Sequence, residues 1–189
     1  IAADDDRKVQ IFTAKEMANM EYLREVQWEY YTRNSNNITY NKEEDALVYD
    51  YFIDAQARPD ETPYVFFTST IKSSSYTAVR KDFCGAYRGL NDPECIEKGV
   101  CPNTELYGGE SIFAFSYDVE LTTDTQTIYF TLGTVDKKAD VNGYIEQFKN
   151  AEFAERQLTF LKEKWDEKLS RFKVSTGDEQ LDRMANVWN

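Results

Sequence analysis

Histidine is missing from all 189 residues, and with it go the Ser-His-Asp and Cys-His forms of nucleophilic catalysis within this chain. A zinc site with the usual ligand sets is not expected either. Cysteine is scarce. Cys84, Cys95 and Cys101 leave one over in any pairing, and no Cys-x-x-Cys pair occurs. Reduced thiols, as in a cytoplasmic protein, are the reading, and a Cys95–Cys101 bridge is the alternative that spacing leaves open. No apolar run approaches the roughly 20 residues of a spanning helix, and no signal peptide opens the chain. Positive charge is in deficit as well: 34 acids against 22 bases give a net charge of −12. Nucleic acid and anionic membranes are thereby excluded as partners, since their binding releases counterions from a basic face. There is no P-loop and no GxGxxG, and Gly108-Gly109 alone is too short to cradle a phosphate.

Aromatics, by contrast, make up 15% of the residues, with 13 tyrosines and 12 phenylalanines. They favour sheets and surfaces that handle sugars, although aromatic-rich sandwiches without a ligand are common. Val9-Gln10-Ile11-Phe12 and Val26 to Thr32 are strand-like. Thr13 to Arg24 carries Met17, Met20 and Leu23 at helical spacing, so a short helix or turn is expected there. Asn34 to Asn37 reads as a polar turn. Leu47, Tyr49, Tyr51 and Ile53 alternate over Ala46 to Ala55, and Tyr64 to Ile71 is a further apolar strand. Phe113, Phe115, Tyr117, Val119 and Leu121 share one strand face, and Ile128, Phe130 and Leu132 share one face of the next. The polar Thr122-Thr123-Asp124-Thr125 between them suits a hairpin turn. Strands repeated at this spacing, each closed by a turn, predict an antiparallel β-sandwich rather than βαβ units.

The period changes after Gly133. Asp136 to Asn142 is a polar linker, and from about Tyr144 the pattern is helical. Leu158, Leu161, Trp165, Leu169 and Phe172 recur at spacings of 3, 4, 4 and 3, one apolar stripe. Asn150 suits an N-cap, and Thr176 with Glu179 predicts a capping box ahead of Leu181, Met184 and Trp188. The sequence opens without Met and stops on a helix with an apolar face and no C-terminal signal. A piece of a longer protein is expected.

Arg80-Lys81-Asp82-Phe83-Cys84-Gly85-Ala86-Tyr87-Arg88-Gly89 carries a more specific signal. It resembles an Arg-x-x-Phe-(Ile/Leu)-Gly-x-Tyr-Arg run of the family 94 glycoside phosphorylases, which include cellobiose, cellodextrin and 1,2-β-oligoglucan phosphorylases. Pro93, Glu97 to Cys101 and Asn103-Thr104-Glu105 follow at similar spacing. Phe130 to Gly133 resembles the family's strand ending in Leu-Gly, and Trp165 to Asn189 resembles the start of its helical linker. The resemblance runs in order from about Phe12 to Asn189. It implies a galactose-mutarotase-like super-sandwich over residues 1–142, then helical linker over 143–189, leading to an (α/α)6 catalytic barrel outside this chain. It further implies a homodimer, an oligosaccharide substrate, and inorganic phosphate as co-substrate with no cofactor. The proton donor would be an aspartate of that barrel, so no catalytic residue is named here.

Candidate binding residues are few. Arg24 sits in Glu21-Tyr22-Leu23-Arg24, where the family pattern is Asn-Phe-Gln-Arg on a loop reaching toward the sugar. Only the aromatic and the arginine match. Arg88 either anchors a ligand or, with Arg80, pairs with Asp82, Asp92 or Glu94. Asn103 and Glu105 would line a mouth, with turn chemistry explaining them equally well. Trp28, Tyr30 and Tyr31 suit either a stacking platform or the core, since neighbours on a strand face opposite ways. The acidic runs Asp4-Asp5-Asp6 and Glu43-Glu44-Asp45 read as solvated, and nothing places two acids in an apolar pocket. A stand-alone carbohydrate-binding sandwich is the alternative function.

Overall fold

The computed structural model describes residues 7–17, 36–51, 64–122 and 124–187. The chain divides into two compact units, Ile1–Asn150 and Ala151–Asn189. The first is an antiparallel β-sandwich. One sheet has three strands in the order β1 (Arg7–Met17), β7 (Ser111–Leu121), β5 (Ser75–Val79). The other has five, in the order β6 (Leu106–Tyr107), β2 (Asn36–Asn41), β3 (Ala46–Tyr51), β4 (Tyr64–Ser69), β8 (Phe130–Val135).

Strand alternation sorts the apolar residues into layers. Phe113, Phe115, Tyr117 and Val119 of β7 meet Ile38, Leu47, Tyr49, Phe67 and Leu106 of the larger sheet, and this is the inter-sheet core. At about 25 cal/mol per Å² of apolar surface, each large side chain so buried contributes about 2 kcal/mol. The outer faces are buried too. On the larger sheet Ala46, Tyr64, Phe66 and Val135 lie beneath Val141 and Ile145 of helix α3 (Val141–Lys149). On the smaller sheet Ile112 and Ala114 lie beneath Phe83, Cys84, Cys95 and Cys101, carried by α1 (Arg80–Cys84), α2 (Glu94–Lys98) and the chain around them. Ser111 to Tyr117 is therefore buried on both faces.

Gly133 owes its place to one contact. It pairs with Phe66, and a Cβ at this position would lie 2.4 Å from that ring. Only a bare backbone lets the aromatic lie across β8.

Several expectations change. The predicted hairpin between Leu121 and Ile128 does not form, because β7 pairs with β1 and β5 whereas β8 pairs with β4 in the opposite sheet. The polar segment crosses between sheets. Alternation reports which residues share a face, and carries no information on which strand lies alongside. The helix or turn expected from Thr13 is strand as far as Met17, held by an eleven-residue ladder to β7 that overrides the local spacing. Met20, Leu23 and the strand-like Val26 to Thr32 lie outside the described residues, as does Ile53. Asn36 and Asn37 belong to β2 rather than to a turn, since Ile38 inserts in the core and Asn37 pairs with Tyr107.

The second unit holds α4 (Ala151–Ser170) and α5 (Glu179–Val187). Asn150 directly precedes α4, as its reading as an N-cap requires. The cap of α5 is Asp178, not Thr176: its Oδ1 accepts from the N–H groups of Gln180 (2.9 Å) and Leu181 (3.2 Å). Thr176 sits two residues earlier, its Oγ1 donating to Asp182 at 2.8 Å and accepting from the Asp178 N–H at 3.2 Å. Asn186 returns to Val174, accepting from its N–H and donating to its carbonyl. Leu158, Leu161, Trp165 and Leu169 lie on the foreseen stripe, each about half exposed, whereas Phe172, expected to continue it, falls beyond the end of α4.

Candidate functional site

The family-like run folds as a cross-linked cap on the smaller sheet. β5 passes directly into α1 at Arg80, and Gly85 ends that helix at φ +91°. A Cβ on Gly85 would lie 2.6 Å from Glu94 Oε2 and 3.0 Å from Glu94 Cβ, so sterics and backbone conformation both demand glycine. Tyr87 follows at φ +63°, a left-handed conformation unusual for a tyrosine.

Arg88 then closes the loop with its whole fork. Its Nε donates to the Asp92 carbonyl (2.8 Å) and Oδ2 (3.0 Å), its Nη2 to Asp92 Oδ1 (2.7 Å), and its Nη1 to Glu97 Oε2 (2.5 Å). These hydrogen bonds to Asp92 and Glu97 push its guanidinium further above its ordinary range. Arg80 pairs with Glu16 and lies 3.7 Å from Glu110. Ion pairing is what the sequence allowed for both arginines. Asp92, one of the three acids expected, is a partner of Arg88, whereas Asp82 instead accepts from Thr104 Oγ1 (2.9 Å) and Glu94 pairs with Lys98 (2.5 Å).

The cap's underside is apolar. All three cysteines are free and buried, with Cys95 Sγ donating to the Asp82 carbonyl at 3.3 Å. Burial raises all three thiols, Cys101 to about 12. They act as small hydrophobes here.

Asn103 and Glu105 belong to a strap that joins the sheets at one side. Asn103, at φ +58°, exchanges bonds with Tyr76 of β5: its N–H donates to the Tyr76 carbonyl (2.8 Å) and its Oδ1 accepts from the Tyr76 N–H (3.0 Å). Thr104 accepts from the Ala78 N–H (2.8 Å). Glu105 then reaches the other sheet, Oε1 accepting from the Tyr40 N–H (2.7 Å) and Oε2 from the Tyr107 hydroxyl (2.8 Å). Arg24 lies outside the described residues, as do Trp28, Tyr30 and Tyr31.

Between α1 and the Gly108-Gly109-Glu110 turn opens a cleft of about 780 Å³. Val79 and Leu106 give it an apolar floor, and Arg80, Lys81, Tyr87 and Arg88 stand around it. Of the four candidate binding residues, the structure places Arg88 on this cleft. Lys81, Tyr87 and Glu110 were not singled out from sequence. Tyr87 had a usable signal in its place between Gly85 and Arg88, but no periodicity marks an exposed side chain on a loop.

Acid chemistry has no obvious seat among the described residues. Asp45 is the buried carboxylate, and the Tyr40 hydroxyl (2.7 Å), Ser73 N–H (2.7 Å) and Ser73 hydroxyl (2.5 Å) all donate to it. It stiffens the β2–β3 turn. No group of three Cys, Asp or Glu residues is arranged to hold a metal, and no helix is long and apolar enough to cross a membrane, among the described residues.

Two antiparallel sheets with covered outer faces define this as a supersandwich domain. The sequence matches the glycosyl hydrolase 94 supersandwich domain over residues 2–151, and the chain belongs to that family. It is similar to the N,N'-diacetylchitobiose phosphorylase of Vibrio furnissii, at 25% identity over 144 residues, 75% of this chain and 17% of that protein. The corresponding phosphorylase of Vibrio proteolyticus is 24% identical over 127 residues, 66% of this chain and 16% of the relative. The cyclic β-(1,2)-glucan synthase NdvB of Rhizobium meliloti (strain 1021) is 29% identical over 130 residues, 65% of this chain and 4% of the relative. The chain thus spans less than a fifth of the length of these relatives.

Proposed function

We propose that this chain is the sandwich-bearing part of an inverting glycoside phosphorylase. That protein would convert a β-linked gluco-oligosaccharide and phosphate to an α-sugar 1-phosphate and a shortened sugar. Phosphate attacks the anomeric carbon from the face opposite the glycosidic oxygen. The departing sugar oxygen takes a proton from a carboxylic acid outside this chain, and one acid suffices because phosphate is already the nucleophile. The sandwich serves as a scaffold, packing on an (α/α)6 barrel and forming part of a wall near the acceptor sugar. A cytoplasmic homodimer without a cofactor completes the reading. The observation that carries it is the family match over residues 2–151, supported by phosphorylase relatives.

The test incubates the full-length protein with β-linked disaccharides and inorganic phosphate. Sugar 1-phosphate should form only when both are present, and this 189-residue chain alone should form none. Disaccharide breakdown that ignores phosphate would count against the reading. A second reading draws on the 29% identity to the cyclic glucan synthase: the sandwich would then support an enzyme that builds β-glucan. Chain growth from an added nucleotide sugar, with release of the nucleotide and no consumption of phosphate, is its signature.

A further inference from the structure

We infer that the cleft between α1 and the Gly108–Glu110 turn is a binding site for a neutral β-linked oligosaccharide, with Tyr87 as its stacking platform. The choice of a saccharide rests on the phosphorylase reading. The site itself rests on geometry.

Tyr87 is fully exposed, at 108% of its reference area, so packing within the chain does not account for its aromatic ring. It is nevertheless held firmly. The preceding Gly85 cannot carry a side chain, and the following Arg88 is fixed by bonds to Asp92 and Glu97. A tyrosine kept at φ +63° on a cross-linked loop costs conformational energy that no contact of its exposed ring among the described residues repays. An observed outlier of this kind points toward a ligand. Beside the ring lies a cleft of about 780 Å³ with Val79 and Leu106 on its floor. That volume falls within the usual range of small-ligand sites, about 300–1,000 Å³.

Charge decides the ligand class. Arg80, Lys81 and Arg88 supply three positive charges to the rim. Four carboxylates answer them: Glu16 and Glu110 at Arg80, Asp92 and Glu97 at Arg88. The rim therefore has no positive excess, and the chain as a whole carries −12. An anion such as phosphate would meet no favourable field. Neutral hydroxyls suit such a rim, because guanidinium N–H groups, an ammonium and carboxylate oxygens donate and accept side by side. A pyranose adds an apolar C–H face for the tyrosine. The open, solvent-facing form of the cleft points to weak binding, which a long chain of sugars would strengthen.

The test titrates the chain with cellotetraose, a linear β-1,2-glucan and N,N'-diacetylchitobiose, following tyrosine ring resonances by NMR. Inorganic phosphate is the competitor. At least one saccharide should shift the Tyr87 resonances saturably, and phosphate should not displace it. Followed on the saccharide's own resonances, Tyr87→Ala should weaken binding about tenfold and Tyr87→Phe should stay close to the parent affinity. The exposed position allows both variants to fold, which far-UV circular dichroism would check. Three outcomes would overturn the inference: no saturable shift with any of the sugars, equal affinity of Tyr87→Ala, or displacement by phosphate. Failure here leaves the phosphate-dependent reaction of the full-length protein standing, and failure of that reaction leaves saccharide binding to the chain intact.

Discussion

The two outer faces of the sandwich are covered by opposite means. Over the larger sheet a single helix, α3, lowers Val141 and Ile145 onto Tyr64, Phe66 and Val135. Over the smaller sheet two five-residue helices and irregular chain bury Phe83 and three cysteines. A helix satisfies its own backbone, so its cover needs only an apolar stripe. A loop cover must find a partner for each polar group. Arg88, Asp92 and Glu97 provide part of this, as do Asp82 with Thr104 and Glu94 with Lys98. The cross-linked cover is also the one that presents a cleft.

Removing the apolar anchor of each cover is the most direct way to compare them. Phe83 is 1% exposed, and Phe83→Ala should cost about 4 kcal/mol. Ile145→Ala, at 0% exposure, should cost about 3 kcal/mol. Urea unfolding measures both. If Phe83→Ala proved the milder of the two, the loop would not be the more tightly integrated cover.

Gly85→Ala probes the loop's backbone alone. The new Cβ would meet Glu94 at 2.6 Å in a left-handed conformation, and about 2 kcal/mol should be lost. A variant as stable as the parent would show that Glu94 moves aside freely.

Raised pH should weaken the loop cover first. Burial lifts Cys101 from 9.0 to about 12 and Tyr117 of the inter-sheet core from 10.0 to about 12. An acid that holds its proton more tightly when folded contributes fully below its unfolded pKa and loses that contribution as pH rises through the folded value. The urea midpoint should therefore fall between pH 9 and about 12, with Cys101→Ala removing the early part of the fall. Rapid alkylation of Cys101 in the folded protein near neutral pH would contradict the assignment.

The smallest effect should come from Arg88→Ala. Its carboxylate partners are largely exposed, so the ion pairs are screened. Thermal unfolding should shift slightly at low salt and hardly at all at high salt. A large, salt-independent loss would promote Arg88 from a loop tie to part of the core.

This contrast also explains what could be seen in the sequence. The buried face of β7 was readable because Phe113, Phe115, Tyr117 and Val119 alternate, and the same holds for Leu47 and Tyr49 of β3. Pairing was not readable, since β7 and β8 look like hairpin strands until Phe130 is found beside Ser69. The cleft was legible only through resemblance. Its chemistry depends on Gly85 and Tyr87 taking positive φ, and on an arginine choosing Asp92 and Glu97 among several nearby acids. Asn103 and Glu105 looked like mouth residues because their partners, Tyr76 and Tyr40, are 27 and 65 positions away.

The Phe66–Gly133 contact has a consequence for assembly. When β8 docks on β4, slipping by two residues keeps the same faces outward, and so ordinary alternation would not detect the error. Such a slip would set Thr131 or Val135 across from Phe66, and either would drive a Cβ into the space the ring occupies. One missing methyl thus serves as an alignment mark, making the correct register of this edge strand the one that closes.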